Sequence, residues 1–142
     1  MQYRKAAAQD LEIVLRLLLL LHSHDVPARE AERILAGPDS AVFLAFDADA
    51  AVGFANCSLR RDYVEGTGSS PVGYLEGIYV LPEYRNRGIA RALAALCEDW
   101  ARARGCAEFA SDCELDNTDS LAFHLRIGFD EVNRIICFAK KL

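Results

Sequence analysis

The sequence predicts one α/β domain over residues 1–142, with a mostly antiparallel mixed sheet carrying helices on both faces. Three observations point there. The length, 142 residues, suits a single core and is short for two. Apolar residues make up 52% of the chain and charged residues 26%, a globular composition that needs no disulfide or metal to hold its core. Segments of helical period alternate with β-like runs, and no repeat, low-complexity tract or linker separates them.

Gln2 to Lys5 reads as a short opening strand. Asp10 is placed to cap a helix with Leu11, Val14, Leu15, Leu18 and Leu21 at helical spacing, which His22-Ser23-His24-Asp25 and Pro27 end. Pro27 opens a second helix, and Gly37-Pro38 stops it. Val42 to Phe46 and Val52 to Leu59 form a hairpin turning at Asp47-Ala48-Asp49. Asp62 to Pro71 holds Gly66, Gly68, Ser69 and Ser70 and is a loop of a length that is often functional. Val72 to Leu81 is the longest β-like run, ended by Pro82. Ile89, Leu93, Leu96, Cys97 and Trp100 share one face of a helix over Ile89 to Arg104, with Gly105 as its stop. Cys106 to Ala110 follows as a strand, Asn117 to Arg126 as a helix, Gly128-Phe129 as a turn, and Ile135 to Ala139 as the final strand.

Lys plus Arg is 16 against 21 for Asp plus Glu, a formal net charge of −5. That balance argues against a nucleic-acid partner, whose backbone needs cationic charge, and suits a cationic partner. The five cysteines (Cys57, Cys97, Cys106, Cys113 and Cys137) are odd in number and lack zinc-ligand spacing, so they are expected as small buried hydrophobes in a reducing compartment. Asp10, Glu12 and Arg16 interrupt the leucine-rich start, and no small-residue cleavage site follows. A cytoplasmic protein without a membrane segment is expected. His22-x-His24 stands alone, and no metal site is expected.

The segment Tyr74-Leu75-Glu76-Gly77-Ile78-Tyr79-Val80-Leu81-Pro82-Glu83-Tyr84-Arg85-Asn86-Arg87-Gly88-Ile89-Ala90 runs a buried strand into a basic loop that opens a long helix. Unpaired N–H groups at the helix start and its positive dipole end make an anion site, to which Arg85, Arg87 and Arg91 add charge. Gly88 lets the backbone approach a phosphate or take φ > 0 without a clash. No Gly-Lys-Ser/Thr follows, and a single glycine does not make a dinucleotide fingerprint.

Arg85-Asn86-Arg87-Gly88-Ile89-Ala90 is similar to the Arg/Gln-x-x-Gly-x-Gly/Ala signature of the GCN5-related N-acetyltransferase (GNAT) superfamily, as are the flanking Tyr79 to Tyr84, Asn117 and Gly128-Phe129. The resemblance implies a GNAT fold whose sheet splays near Val80 to admit acetyl-CoA as co-substrate. It implies that Arg85, Asn86, Arg87, Gly88, Ile89, Ala90 and Arg91 hold the pyrophosphate. Ile78, Tyr79 and Val80 then line the pantetheine, the Val80 N–H polarises the thioester carbonyl, and Asn117 touches the pantetheine arm.

Gly53-Phe54-Ala55, Arg61 to Gly66, Ser69-Ser70-Pro71-Val72, Leu75-Glu76-Gly77-Ile78, Ala110-Ser111-Asp112 and Gly128 to Glu131 further resemble the single-domain aminoglycoside 6'-N-acetyltransferases. That family transfers acetyl directly to the 6'-amino group of a polycationic sugar in a ternary complex. By period-2 alternation Glu76 shares a face with Tyr74, Ile78 and Val80, where a carboxylate is expensive unless paired or solvated. It is either a structural ion pair or the acceptor of the substrate's ammonium proton. The attacking amine must lose that proton at roughly 1.4 kcal/mol per unit of pKa above ambient pH. The resemblance selects the second role for Glu76 and implies that Asp112 and Tyr63 bind the sugar and that the protein is a homodimer.

The chain departs from that family at Val14 and His22, where tryptophans are expected against the sugar, and its only tryptophan, Trp100, lies on a core-facing stripe. Phe138 stands where many acetyltransferases carry a tyrosine acid, so no general acid is assigned. His124 reads as packing, and Cys113 has no histidine partner for a covalent route. Two rivals accompany the aminoglycoside reading: acetylation of another amine (a polyamine or a protein amino group), and an inactive module that senses acyl-CoA.

Overall fold

In the computed structural model, which describes residues 1–142, five strands form one sheet in the order β1-β2-β3-β4-β5. Strands β1 (Gln2–Lys5), β2 (Ser40–Asp47), β3 (Ala50–Arg60) and β4 (Val72–Val80) pair antiparallel with their neighbours. β5 (Phe109–Ser111) joins β4 in parallel after a crossover through a long helix. β2 is apolar at almost every position because both of its faces are covered. Val42 and Leu44 pack with Phe54 under α1 (Leu11–His22) and α2 (Ala28–Ala36). Phe43 and Ala45 pack with Leu75 and Val80 under Leu93 and Cys97 of α3 (Ile89–Ala103). α4 (Thr118–Arg126) lies alongside β5, where buried His124 meets the Ser111 hydroxyl at 2.8 Å. No helix is long and apolar enough to cross a membrane.

The elements follow the sequence expectation with four corrections. Asp10 stands at the start of α1 but makes no cap bond into it. Its buried carboxylate takes the Arg4 guanidinium in a fork of two 2.8 Å bonds and accepts the Ala7 N–H. A charged fork outweighs a neutral cap, and it holds the Asp10 carboxyl below the usual carboxylate range. β5 begins at Phe109 rather than Cys106, because the Cys106 N–H is still bonded to the Ala101 carbonyl at the end of α3.

The expected final strand, Ile135 to Ala139, is not formed: residues 130–142 are exposed and irregular, with Phe138 91% accessible. A strand needs a neighbour for its ladder. This segment is held only near its root, by Val132 against Gly66 and by Asn133 Nδ2 donating to Glu65 at 2.9 Å. Of the five cysteines only Cys57 and Cys97 are buried, and Cys137 is exposed. The Cys97 thiol is pushed far up by its hydrogen bond with Cys57 and by burial, so it stays protonated.

Candidate active site

β4 carries an irregularity that the sequence did not reveal. Asn56 faces Gly77 and Cys57 faces Leu75, so Glu76 is an extra residue with no partner on β3. Such a bulge resets the alternation of side chains. Tyr74 and Glu76 share the face toward α1 as expected, but Ile78 and Val80 pack on the opposite face against α3. The expectation that Glu76 shares a face with Ile78 and Val80 is therefore corrected.

Past the bulge, β4 parts from its other neighbour. The last β4–β5 pair is Leu75 with Ser111, and Glu76 to Val80 continue without a strand on that side. The Leu81 N–H donates to Val52 on β3 at 2.9 Å. Successive backbone groups point to opposite sides, so the Val80 N–H points away from β3 into this gap. Its carbonyl points the same way, accepting Arg85 Nε at 2.8 Å. Ile78, two residues earlier, presents its backbone to the same gap. The residues after Leu81 form a short 3₁₀ turn (Pro82–Tyr84) and then the loop into α3.

That loop is shaped for an anion. Asn86 at φ 61° and Gly88 at φ 79° turn the chain, and the N–H groups of Asn86, Arg87, Gly88, Ile89 and Ala90 find no acceptor in the protein. Nothing lies within 4 Å of where a Gly88 Cβ would stand, so a ligand can reach the backbone there. Arg85 stacks toward Tyr79, Arg87 is tied to the Glu83 carbonyl, and Arg91 bonds the Arg126 carbonyl at the end of α4. Cationic side chains, a dipole end and bare amides converge at one edge of the gap, which fits a diphosphate.

On the α1 face of β4, Glu76 and Asp112 are joined through two other residues. Arg60 donates Nε to Glu76 Oε1 at 2.9 Å and Nη2 to Oε1 and Oε2 at 2.7 and 2.8 Å. Ser58 Oγ adds a bond to Oε1 at 2.9 Å. The Arg60 guanidinium lies 3.4 Å from the centre of the Tyr74 ring, and the Tyr74 hydroxyl donates to Asp112 just past β5. Burial, then Asp112, pushes the Tyr74 phenol well above its usual range, so it stays a donor. Beside Glu76 a cleft of about 320 Å³ opens between α1–α2 and the sheet, with Leu21, His22, Glu30, Asn56 and Ser58 among its walls. Gly77 lets α1 close on that cleft, since a Cβ there would stand 2.9 Å from Leu21.

The other expected site residues are placed as follows. Tyr63 is 77% exposed on the long loop, with its hydroxyl 3.4 Å from Glu65, and no contact joins it to Glu76 or Asp112. Asn117 caps α4, accepting the Ser120 N–H on its side-chain oxygen, which leaves the amide nitrogen free. Val14 is wholly buried in the core, whereas His22 reaches the cleft. Trp100 packs against the α3-side core under Arg104. Arg60, Ser58 and Glu30 escaped the sequence reading. Arg60 and Ser58 alternate on β3, but their meeting with Glu76 depends on a bulged register across the long loop that joins β3 to β4.

A splayed strand beside a basic loop with bare amides defines an acyl-CoA-dependent acetyltransferase site, and the comparisons agree. The chain belongs to the acetyltransferase (GNAT) family, whose model matches residues 11–129. Within it, the chain is 43% identical over 120 residues to aminoglycoside N(6')-acetyltransferase type 1 of Salmonella typhimurium (strain LT2), covering 84% of this chain and 83% of the relative. It is 44% identical over 129 residues to the protein of that name from Acinetobacter genomosp. 13, covering 90% and 88%. The solved structure of AAC(6')-Iy in complex with the bisubstrate analog CoA-S-monomethyl-acetylneamine superposes with a TM-score of 0.94 at 38% identity, covering 99% of this chain and 98% of the other. The expected GNAT fold is thereby borne out.

Proposed function

We propose that the protein transfers acetyl from acetyl-CoA to the 6'-amino group of aminoglycosides. The observation that carries this reading is that Glu76 and Asp112 flank the splay where the acyl donor's loop and strand converge, in a chain similar over more than four-fifths of its length to enzymes named for that reaction. When bound, acetyl-CoA supplies the activated acyl group. The backbone amides from Asn86 to Ala90 hold its diphosphate, with Arg85, Arg87 and Arg91 supplying positive charge. Ile78 offers main-chain groups to the pantetheine, Tyr79 lines it, the Val80 carbonyl is held by Arg85 so that its N–H alone faces the ligand, and the free amide of Asn117 is available to the pantetheine arm. The Val80 N–H faces the charge that develops on the acyl oxygen, a preorganised donor that needs no rearrangement.

Glu76 accepts the ammonium proton through the part of Oε2 that Arg60 leaves open, and Asp112 and Tyr63 orient the sugar. The Glu76 and Glu30 carboxylates at the cleft, standing beside Arg60 and Arg33, give a polycation charge to align on. Mass spectrometry of kanamycin or tobramycin incubated with the protein and acetyl-CoA tests the reading: a single added acetyl on the 6'-amine is expected. Acetylation of spermidine with every aminoglycoside untouched overturns it.

The reading includes a homodimer in the cytoplasm. Val132, Ile135, Ile136, Phe138 and Leu142 stand exposed in the last eleven residues, and a second copy is the partner that would cover them. Light scattering should give twice the 15.7 kDa chain mass, and a monomer at micromolar concentration refutes this.

A further inference from the structure

We propose that Arg60 is the positioning residue of this active site, fixing the Glu76 carboxylate so that one oxygen position alone is left for the substrate amine. The proposal rests on the function proposed above and deepens it. A bulge residue has no ladder partner to hold its backbone, so the aim of its side chain must come from elsewhere. Arg60 supplies it with the planar fork that matches a carboxylate. Oε1 receives three donors (Ser58 Oγ, Arg60 Nε and Nη2) and is saturated, whereas Oε2 receives only Arg60 Nη2. Arg60 is itself held on a second side, stacked on the Tyr74 ring, whose hydroxyl is tied to Asp112. One guanidinium thus links the two carboxylates proposed to handle the substrate, and its partners leave it no slack on two sides. A lysine keeps the charge but has neither the fork nor the flat face.

The test is a mutant cycle on the full-length enzyme, read by thiol release with kanamycin and acetyl-CoA. Arg60→Gln should lower kcat roughly tenfold or more, the scale of a misplaced catalytic group, with the KM for acetyl-CoA within about twofold of wild type. Arg60→Lys should recover less than about a third of that loss. In a Glu76→Gln background, Arg60→Gln should cost less than about a further twofold, because a residue that acts through Glu76 has nothing left to position. Thermal melting of each variant identifies misfolding. Independent, multiplying losses in the double variant overturn the proposal, as does full rescue by lysine. Tighter kanamycin binding at unchanged kcat also overturns it, since Arg60 would then be a counter-ion that the substrate displaces. Should the wild-type enzyme acetylate spermidine and no aminoglycoside, the substrate reading fails, and the same cycle run on spermidine decides the role of Arg60.

Discussion

Glu76→Gln separates proton removal from mere orientation, and its size follows from the substrate's own chemistry. The amine of an amino sugar titrates near ~9, between an α-amino group and lysine. At pH 7 its deprotonation therefore costs about 2.7 kcal/mol, a factor of roughly 100 in rate. If Glu76 takes that proton, the variant loses about this factor in kcat/KM, within the usual range for a general base. The loss should shrink about tenfold per pH unit toward pH ~9, as solvent removes the proton instead. Initial rates of thiol release with kanamycin between pH 6.5 and 9.5 measure it. Stability should not confuse the result. The Arg60 and Glu76 side chains are 43% and 29% exposed, so losing their pairing costs only about 0–1 kcal/mol and shifts Tm by a few degrees at most. A deficit that stays constant across the pH range, or one below about threefold, refutes Glu76 as the proton acceptor.

Other perturbations read the scaffold and the donor loop. Asp10→Asn removes a carboxylate that is only 4% exposed from the Arg4 fork and should cost about 2 kcal/mol at pH 7 by thermal or urea unfolding. Because the folded pKa of Asp10 is depressed, its stabilisation is present above the unfolded value of about 4 and is lost as pH falls through the folded value, so the two proteins should converge as the pH drops below it. A pH-independent difference would contradict this. Gly73→Ala places a methyl 2.6 Å from both Ala101 Cβ and Phe109 Cδ1, where β4 passes under α3, and should lower Tm by about 5 °C through overpacking. An unchanged melting curve would mean that the helix yields freely. Gly88→Ala meets no protein atom but forces a side chain into φ 79°, costing about 1–2 kcal/mol of conformational strain. Calorimetric Kd for CoA should rise roughly tenfold as the loop relaxes away from its anion-binding shape, with the kanamycin KM unchanged; an unaltered Kd would remove Gly88 from the cofactor site.

Local chemistry was legible from the chain itself. The apolar spacing of α1 and α3, Pro27 before α2, Pro82 after β4 and Gly88 opening α3 act over a few residues, where backbone sterics and hydrophobic period decide the outcome. So was the basic loop before α3, whose bare amides and positive charge are features of its own short stretch of sequence. What the chain alone did not disclose depends on contacts distant in sequence. The bulge at Glu76 arises where β3 and β4 must keep both faces packed, and it reversed the facing assigned to Ile78 and Val80. Arg60 reaches Glu76 only in that register, sixteen residues away. The strand written into Ile135 to Ala139 stayed unmade, since β propensity orders nothing until a second strand accepts its hydrogen bonds. Period and propensity are properties of neighbours along the chain, whereas register, pairing and the aim of a carboxylate are settled by whatever packs against it across space.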